Sequence, residues 1–301
     1  MILNEIVEEV CQQCSIDKLN QDNINNLIRW VNMIQYDIAS RHSWPWLKTR
    51  CIIKTDEDNT TGTVTMVDGS ASITGVATTF ASTDVGRFIQ FSDSNDWYKI
   101  TAVASTTGLT LEEHYHGDGD TDATITIRTF NYSLPSDLWQ IFDVRQFRTP
   151  VKLQYVDTFA FDSFAPNQTS TGSPLSYNLW YYNNPQSVTG QEYGITFDPI
   201  PAEVMQVEVR YLRKPPELAA GTSISCIPVM FHKTIVEGVK YLAYQFNSDP
   251  STGGQKEVYE EAITVMKRSS KVTLDAVNIL RSVDSGGGGI VGQPYPSQYG
   301  N

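Results

Sequence analysis

Cationic side chains are scarce here: 22 Lys and Arg stand against 34 Asp and Glu, a formal net charge of −12 at pH 7 over 301 residues. Affinity for a duplex comes largely from Lys and Arg neutralising phosphates, so this balance argues against a chain that grips nucleic acid. Cysteine is scarce too. Cys11, Cys14, Cys51 and Cys226 are too few and too scattered for a disulfide framework, and the chain reads as one made in a reducing cytoplasm. No run of about 18 apolar residues occurs, so no membrane-spanning helix is expected. The opening Met1-Ile-Leu-Asn-Glu5 has neither a basic stretch nor a long apolar core, and no secretory leader is expected. Catalytic signatures are missing as well: no Gly-x-Ser-x-Gly elbow, no His-Glu-x-x-His and no P-loop. The sequence therefore predicts no enzyme and no cofactor.

What is present suffices for a packed core, with 40% hydrophobic and 11% aromatic residues and room for two modest domains or one carrying an insertion. The two ends read as helical. Ile2, Leu3, Ile6, Val7, Val10, Cys11 and Cys14 recur at three- and four-residue spacings, one apolar stripe of an amphipathic helix. Asn20 to Asp22 offer caps for a second helix, in which Ile24, Leu27, Ile28, Val31, Ile34 and Ile38 share a face. Asn25, Arg29, Asn32 and Gln35 are expected on its opposite, outward side, and Trp44-Pro45-Trp46 should end it. After Pro228 the pattern Ile235, Val236, Val239, Leu242, Ala243, Phe246 predicts a third helix, stopped by Asp249-Pro250. A last helix over about 254–282 carries Val258, Ala262, Val265, Met266, Val272, Ala276 and Ile279 as its stripe, with acidic residues early and basic ones late, as the helix dipole prefers.

Between about 47 and 218 the text is that of strands and turns. Met205, Val207, Val209 and Tyr211 alternate with Gln206, Glu208 and Arg210, predicting a strand with one buried face, and Asp68-Gly69 predicts a hairpin-type turn. The expected fold class is α+β: N- and C-terminal helices packed as a helical bundle, with two inserted antiparallel β domains. The expected boundaries are 1–57 with 219–283 for the helical core, 58–130 for a small β barrel or sandwich, 131–218 for an aromatic-rich β domain, and 284–301 for an extended Gly-rich tail.

Several local patterns suggest chemistry and are better read plainly. Cys11-Gln-Gln-Cys14 has the spacing of a zinc or redox half-site, but both thiols continue an apolar stripe and no second half-site lies near; the reading is core packing. His114, His116, Asp118, Asp120 and Asp122 crowd nine residues, yet Ala123 and Thr129 stand where a calcium loop needs Gly and Glu. An acidic loop is expected, with a structural cation near Asp118–Asp122 as the alternative. Gly287-Gly-Gly289-Ile-Val-Gly292 matches the dinucleotide fingerprint without its βαβ setting. Trp180, Tyr181 and Tyr182 read as one strand, with a sugar platform as the alternative. Glu112 and Glu113, as neighbours on a strand, should point to opposite faces and form no catalytic pair. Trp30, Trp44 and Trp46 are expected to be core or subunit-interface anchors.

A set of segments in order carries a resemblance. These are the helix 24–41 running into Trp44-Pro-Trp46; Tyr132-Ser-Leu-Pro135-Ser-Asp137; Phe142-Asp-Val-Arg145; Pro150-Val-Lys-Leu153; Gly172-Ser-Pro174; Ile195-Thr-Phe-Asp-Pro199-Ile-Pro201; Val209-Arg-Tyr211; Pro215-Pro-Glu-Leu218; and Ile227-Pro228. Together they resemble the head-to-tail adaptor (connector) proteins of short-tailed phages, the group that includes tail tubular protein A. The block with Gly75-Val-Ala-Thr-Thr-Phe80, Val85-Gly-Arg-Phe-Ile89, Tyr98-Lys-Ile100 and Leu109-Thr-Leu111 is similar to small β modules of phage neck and tail proteins.

The resemblance implies a structural virion protein: a ring of twelve copies beneath the portal, made in the host bacterial cytoplasm, extending the DNA channel and docking nozzle or fibre proteins. Ejected DNA would pass through without specific binding, which suits a negatively charged wall. In the tail, Ile290, Val291, Tyr295, Pro296 and Tyr299 are expected to lie on a neighbouring subunit or the portal, as an added strand. The alternatives are another neck or tail ring (stopper or nozzle), a fibre-anchoring or adhesin module, and a tail-borne cell-wall hydrolase.

Overall fold

A computed structural model describes residues 1–164, 170–183, 191–201 and 203–285. In chain order the elements are α1 (Leu3–Cys14), α2 (Gln21–Ser40), β1 (Lys48–Lys54), β2 (Thr63–Thr65), β3 (Ser72–Val76), β4 (Phe88–Phe91), β5 (Trp97–Ser105), β6 (Gly108–Leu111) and β7 (Ala123–Arg128). There follow β8 (Asn131–Ser133), β9 (Leu138–Gln146), β10 (Gln154–Tyr155), α3 (Thr158–Phe164), β11 (Thr171–Gly172), β12 (Ser176–Asn183), β13 (Gln191–Asp198), β14 (Ile200–Pro201), β15 (Gln206–Arg213), α4 (His232–Phe246) and α5 (Thr252–Ser285). Helices and sheets are mixed in an α+β chain. It divides into two compact units, one of residues 1–47 and 214 onward, the other of 48–213.

In the first unit, Asn20 caps α2 by accepting the Asp22 amide at 2.9 Å. α4 packs on α1, α2 and α5. Leu3, Ile6, Val10, Leu27, Val31, Ile38, Ile235, Val239 and Met266 are all fully buried. Gly238 lets the helices approach: a Cβ there would sit 2.8 Å from Ile34 Cγ2 and Tyr259 Cε2. Two expectations about helix faces fail here. Asn32 and Gln35 do not face outward; both are buried, and they bind the chain that returns to α4. Asn32 Nδ2 donates to the Leu218 carbonyl at 3.0 Å, while the Leu218 amide donates to Asn32 Oδ1 at 2.9 Å. Gln35 donates to Asn32 Oδ1 at 3.3 Å and accepts from the Ser225 hydroxyl at 2.5 Å. On α5 the buried row is Tyr259, Ile263, Met266 and Ser270, which leaves Val258 and Val265 exposed. Tyr259 decides that face, since it donates to Asp37 Oδ2 at 2.7 Å beneath the Arg41–Glu260 ion pair of 2.6 Å.

In the second unit, β2-β3-β6-β5-β4-β7 close into a barrel, β7 pairing with both β4 and β2. Alternation fills it from one face of each strand, with Val64, Ile73, Ile89, Ile100, Leu109 and Ile127 inside. The Asp68-Gly69 turn lies between β2 and β3, with Gly69 at φ +73°. Beside the barrel, the sheet β1-β15-β9 shares a core with β8, β12 and β13 of the sheet β10-β12-β13-β8; Ile53, Val207, Val209, Ile195 and Phe197 belong to it. The β15 alternation holds for Val207, Val209 and Tyr211, but Glu208 breaks the expected exposed face: it is only 3% exposed. Glu112 and Glu113 follow the end of β6 in a bend and not on a strand.

Candidate assembly surfaces

The expected contact residues Ile290, Val291, Tyr295, Pro296 and Tyr299 lie outside the described residues, as does the Gly287–Gly292 fingerprint. The three tryptophans sit in the helical unit. Trp44 is fully buried, donates from its indole to the Ile38 carbonyl at 2.6 Å, and stacks on Trp46 at 4.7 Å between centroids. Trp46 is half-buried and meets Phe231 at 5.7 Å, and half-buried Trp30 meets Phe246 at 5.5 Å. Phe246 was expected in the helix stripe but is largely exposed, so Trp30 and Phe246 form an apolar edge open to solvent.

Cys11 is buried and Cys14 half-buried, and burial pushes both thiols up, away from the thiolate that metal binding or redox exchange requires. The described residues hold no cluster of His, Cys, Asp and Glu fit to bind a metal ion. In the 114–122 loop Tyr115 turns inward and donates to Asp93 at 2.7 Å and to the Asp118 carbonyl at 3.2 Å, while Asp120 accepts the amides of Thr121 and Asp122. Burial, then the Asp93 hydrogen bond, raise the Tyr115 pKa. The Asp120 carboxylate thus holds the loop's own backbone.

Two surfaces of the β unit stand out. One is a groove of about 460 Å³ between β9 and β12, lined by Leu138, Trp139, Tyr155, Trp180, Tyr181 and Tyr193 among others. Trp180 and Tyr181, neighbours on β12, both line it, and Tyr181 packs against Tyr193 with the rings tilted by 60° and 5.0 Å between centroids. The other is the outer face of β1-β15-β9. Register sets Arg50 beside Arg210 and Arg210 beside Asp143, with Ile52, Glu208 and Arg145 in the next row. Buried Glu208 accepts from Arg210 at 3.1 Å and from Arg50 at 3.3 Å, and Asp143 is held by Arg145 and approached by Arg210 and Lys152. The Arg210 hydrogen bond, aided by Arg50 and opposed by burial, holds the Glu208 carboxyl below the ordinary range. Sequence reading missed this face, because Arg50, Arg145 and Arg210 come from three separate segments. Its one visible signal was the pair of charges Glu208 and Arg210 at alternate positions of β15.

The sequence profile of the family described as SU10 adaptor protein matches residues 108–281, more than half of the sequence. The chain belongs to that family of phage adaptors, structural proteins of the virion and not enzymes. An adaptor's partners are other structural proteins of the particle, such as the portal. No curated protein matches the chain. No helix among the described residues is long and apolar enough to cross a membrane.

Proposed function

We propose that this adaptor forms a ring of twelve copies beneath the portal, continues the DNA channel and docks the nozzle or fibre proteins below. The adaptor-family match over 108–281 carries the reading. The resemblance to the tail tubular protein A group supplies the finer type. In this reading the helices of the first unit are the bundle that packs side by side around the ring, and the β modules are insertions that reach the next tail component. The net charge of −12 per copy lets DNA pass during ejection without being held. Ile290, Val291, Tyr295, Pro296 and Tyr299 are the proposed contact with the portal or a neighbouring copy, and Trp30 and Trp46 the helical unit's candidates for the subunit interface. Synthesis takes place in the host bacterial cytoplasm.

Electron microscopy of particles tests the assignment. Twelve-fold density under the portal is expected. Six- or three-fold placement at the distal end would overturn it in favour of a nozzle or fibre-attachment protein. Deleting 286–301 is expected to abolish portal binding while leaving the helical circular dichroism intact; undiminished binding would refute the tail's role.

A further inference from the structure

The chain's negative charge is not spread evenly. Between Asp56 and Arg128, the stretch that contains the barrel, twelve acidic side chains face only Arg87, Lys99 and Arg128, a net −9 of the chain's −12. All three cations are already committed: Arg87 to Asp84 at 2.9 Å, Lys99 to Glu112 at 3.2 Å, and Arg128 to Asp58 at 2.6 Å. At the 112–122 end of the barrel, Glu113, Asp118 and Asp122 are exposed and have no cation within ion-pair distance among the described residues. The outer face of β1-β15-β9 has the opposite balance. Lys48, Arg50, Arg145, Lys152 and Arg210 surround just Asp143 and Glu208, a local excess of three positive charges. Arg50 and Lys152 are about two-thirds exposed. Exposed Phe142, under Lys48 at 5.9 Å, and exposed Ile52 add apolar area to the same face. Between Lys48, Thr49, Arg50, Phe142 and Arg210 lies a hollow of about 570 Å³.

We infer that this basic face is a docking surface for the acidic end of the barrel, Glu113, Asp118 and Asp122, of the next copy in the ring. The inference rests on the ring reading above. A ring of identical chains closes through a heterologous contact, in which one patch meets a different patch on its neighbour. Stretches of net −9 repel one another unless cations meet them at that contact, and screening over a Debye length of about 8 Å does not reach across an intimate interface. The two patches are complementary in sign and similar in count, which fixes register and suppresses wrong pairings. DNA is the poorer occupant. Three of the five cations are guanidiniums already engaged with Glu208 or Asp143, and a duplex approaching the face would also meet the barrel's field.

Charge exchange tests this with the full-length chain assembled on portal rings and counted by electron microscopy. Lys48→Glu with Lys152→Glu should reduce ring occupancy about tenfold or more, as should Glu113→Lys with Asp118→Lys and Asp122→Lys. A chain carrying all five changes restores complementary patches and should recover occupancy to near wild type. Wild-type-like assembly of either one-sided variant would overturn the inference, and so would failure of the five-fold exchange when its circular dichroism is native. If the lysine pair instead weakens binding of a labelled duplex and the exchange does not rescue it, the face belongs to DNA and the inference falls. A wild-type chain that forms no ring on the portal would instead sink the ring reading itself.

Discussion

Asn32 ties the returning chain to α2 inside the helical unit, and its removal should be costly. It offers Leu218 a donor and an acceptor at 3.0 and 2.9 Å and also accepts from Gln35, all in a buried setting. Asn32→Ala therefore strands the amide and carbonyl of Leu218 and one Gln35 proton away from water. A stranded buried polar group costs about 1–3 kcal/mol, so with two backbone groups orphaned the loss should come to about 3–5 kcal/mol. At roughly 2–4 °C per kcal/mol, the helical transition should fall by about 6–20 °C. Urea unfolding followed at 222 nm measures the loss, and hydrogen exchange at the Leu218 amide localises it. Ser225→Ala gives the graded control: it removes one hydroxyl bonded to Gln35 Oε1 and to the Ile227 amide, and should cost about 1 kcal/mol. The double mutant should cost less than the two singles together, because Gln35 links the sites. A loss under about 1 kcal/mol for Asn32→Ala, with Leu218 protection unchanged, would refute the reasoning.

Two titrations should appear in separate pH windows. Glu208 has its carboxyl lowered in the fold, so the unfolded chain takes up the proton first; its contribution is complete above the ordinary value of 4.5 and fades as pH falls below it, and Glu208→Gln should flatten that limb. His232 is buried with its ring pKa lowered, Nε2 lying 2.8 Å from the Ile227 carbonyl. Stability should therefore fall once pH drops below the ordinary 6.5, a slope absent from His232→Gln in denaturant melts. Gly62→Ala forces a φ of +86° on a side chain whose Cβ would stand 2.6 Å from the Val76 carbonyl, and should destabilise the barrel by about 1–3 kcal/mol, read by Trp97 fluorescence. Replacing 60–126 by an Asn-Gly turn should leave the helical signal and the 222 nm transition unchanged; a lost or broadened transition would count against a separable barrel.

The sequence made the helices plain because Leu3, Ile6 and Val10, or Leu27, Val31 and Ile38, repeat at a period set by the helix itself. It hid the polar interior for the same reason. On α2 the residues Asn32 and Gln35 sit where a periodic reading puts solvent, and only Leu218 and Ser225, about 190 positions away, explain why they are inside. Only the exposure of Glu208 was misjudged: period two rightly assigns it to the outer face, but Arg50 and Arg210 close over it. On α5 the aliphatic residues Val258 and Val265 drew the stripe, whereas Tyr259, anchored on Asp37, turns the helix. Long-range partners decided each of these positions, and local spacing carries no information about them.

The same partners explain how so long a β segment can leave and rejoin a helical unit. Lys48 at the start of β1 pairs with Leu212 near the end of β15, so the outgoing and returning chains run side by side as one antiparallel ladder. Paired Cα atoms in such a ladder are only about 4.5–5.5 Å apart, and the ends of the segment present the helical unit with a gap no wider than a tight turn. The device repeats one level down. Asn59 bridges Ile127 through reciprocal amide–carbonyl bonds of 3.0 and 2.8 Å, and Arg128 clasps Asp58 with both Nε and Nη2. Each neck joins its two strands by backbone bonds and thereby fixes register. The loop it closes can then vary in length at little cost to the remainder, since closure entropy grows only with the logarithm of loop length. That separation lets the barrel collect nine acidic side chains against three cations, a net −6, without placing any of them in the sandwich core.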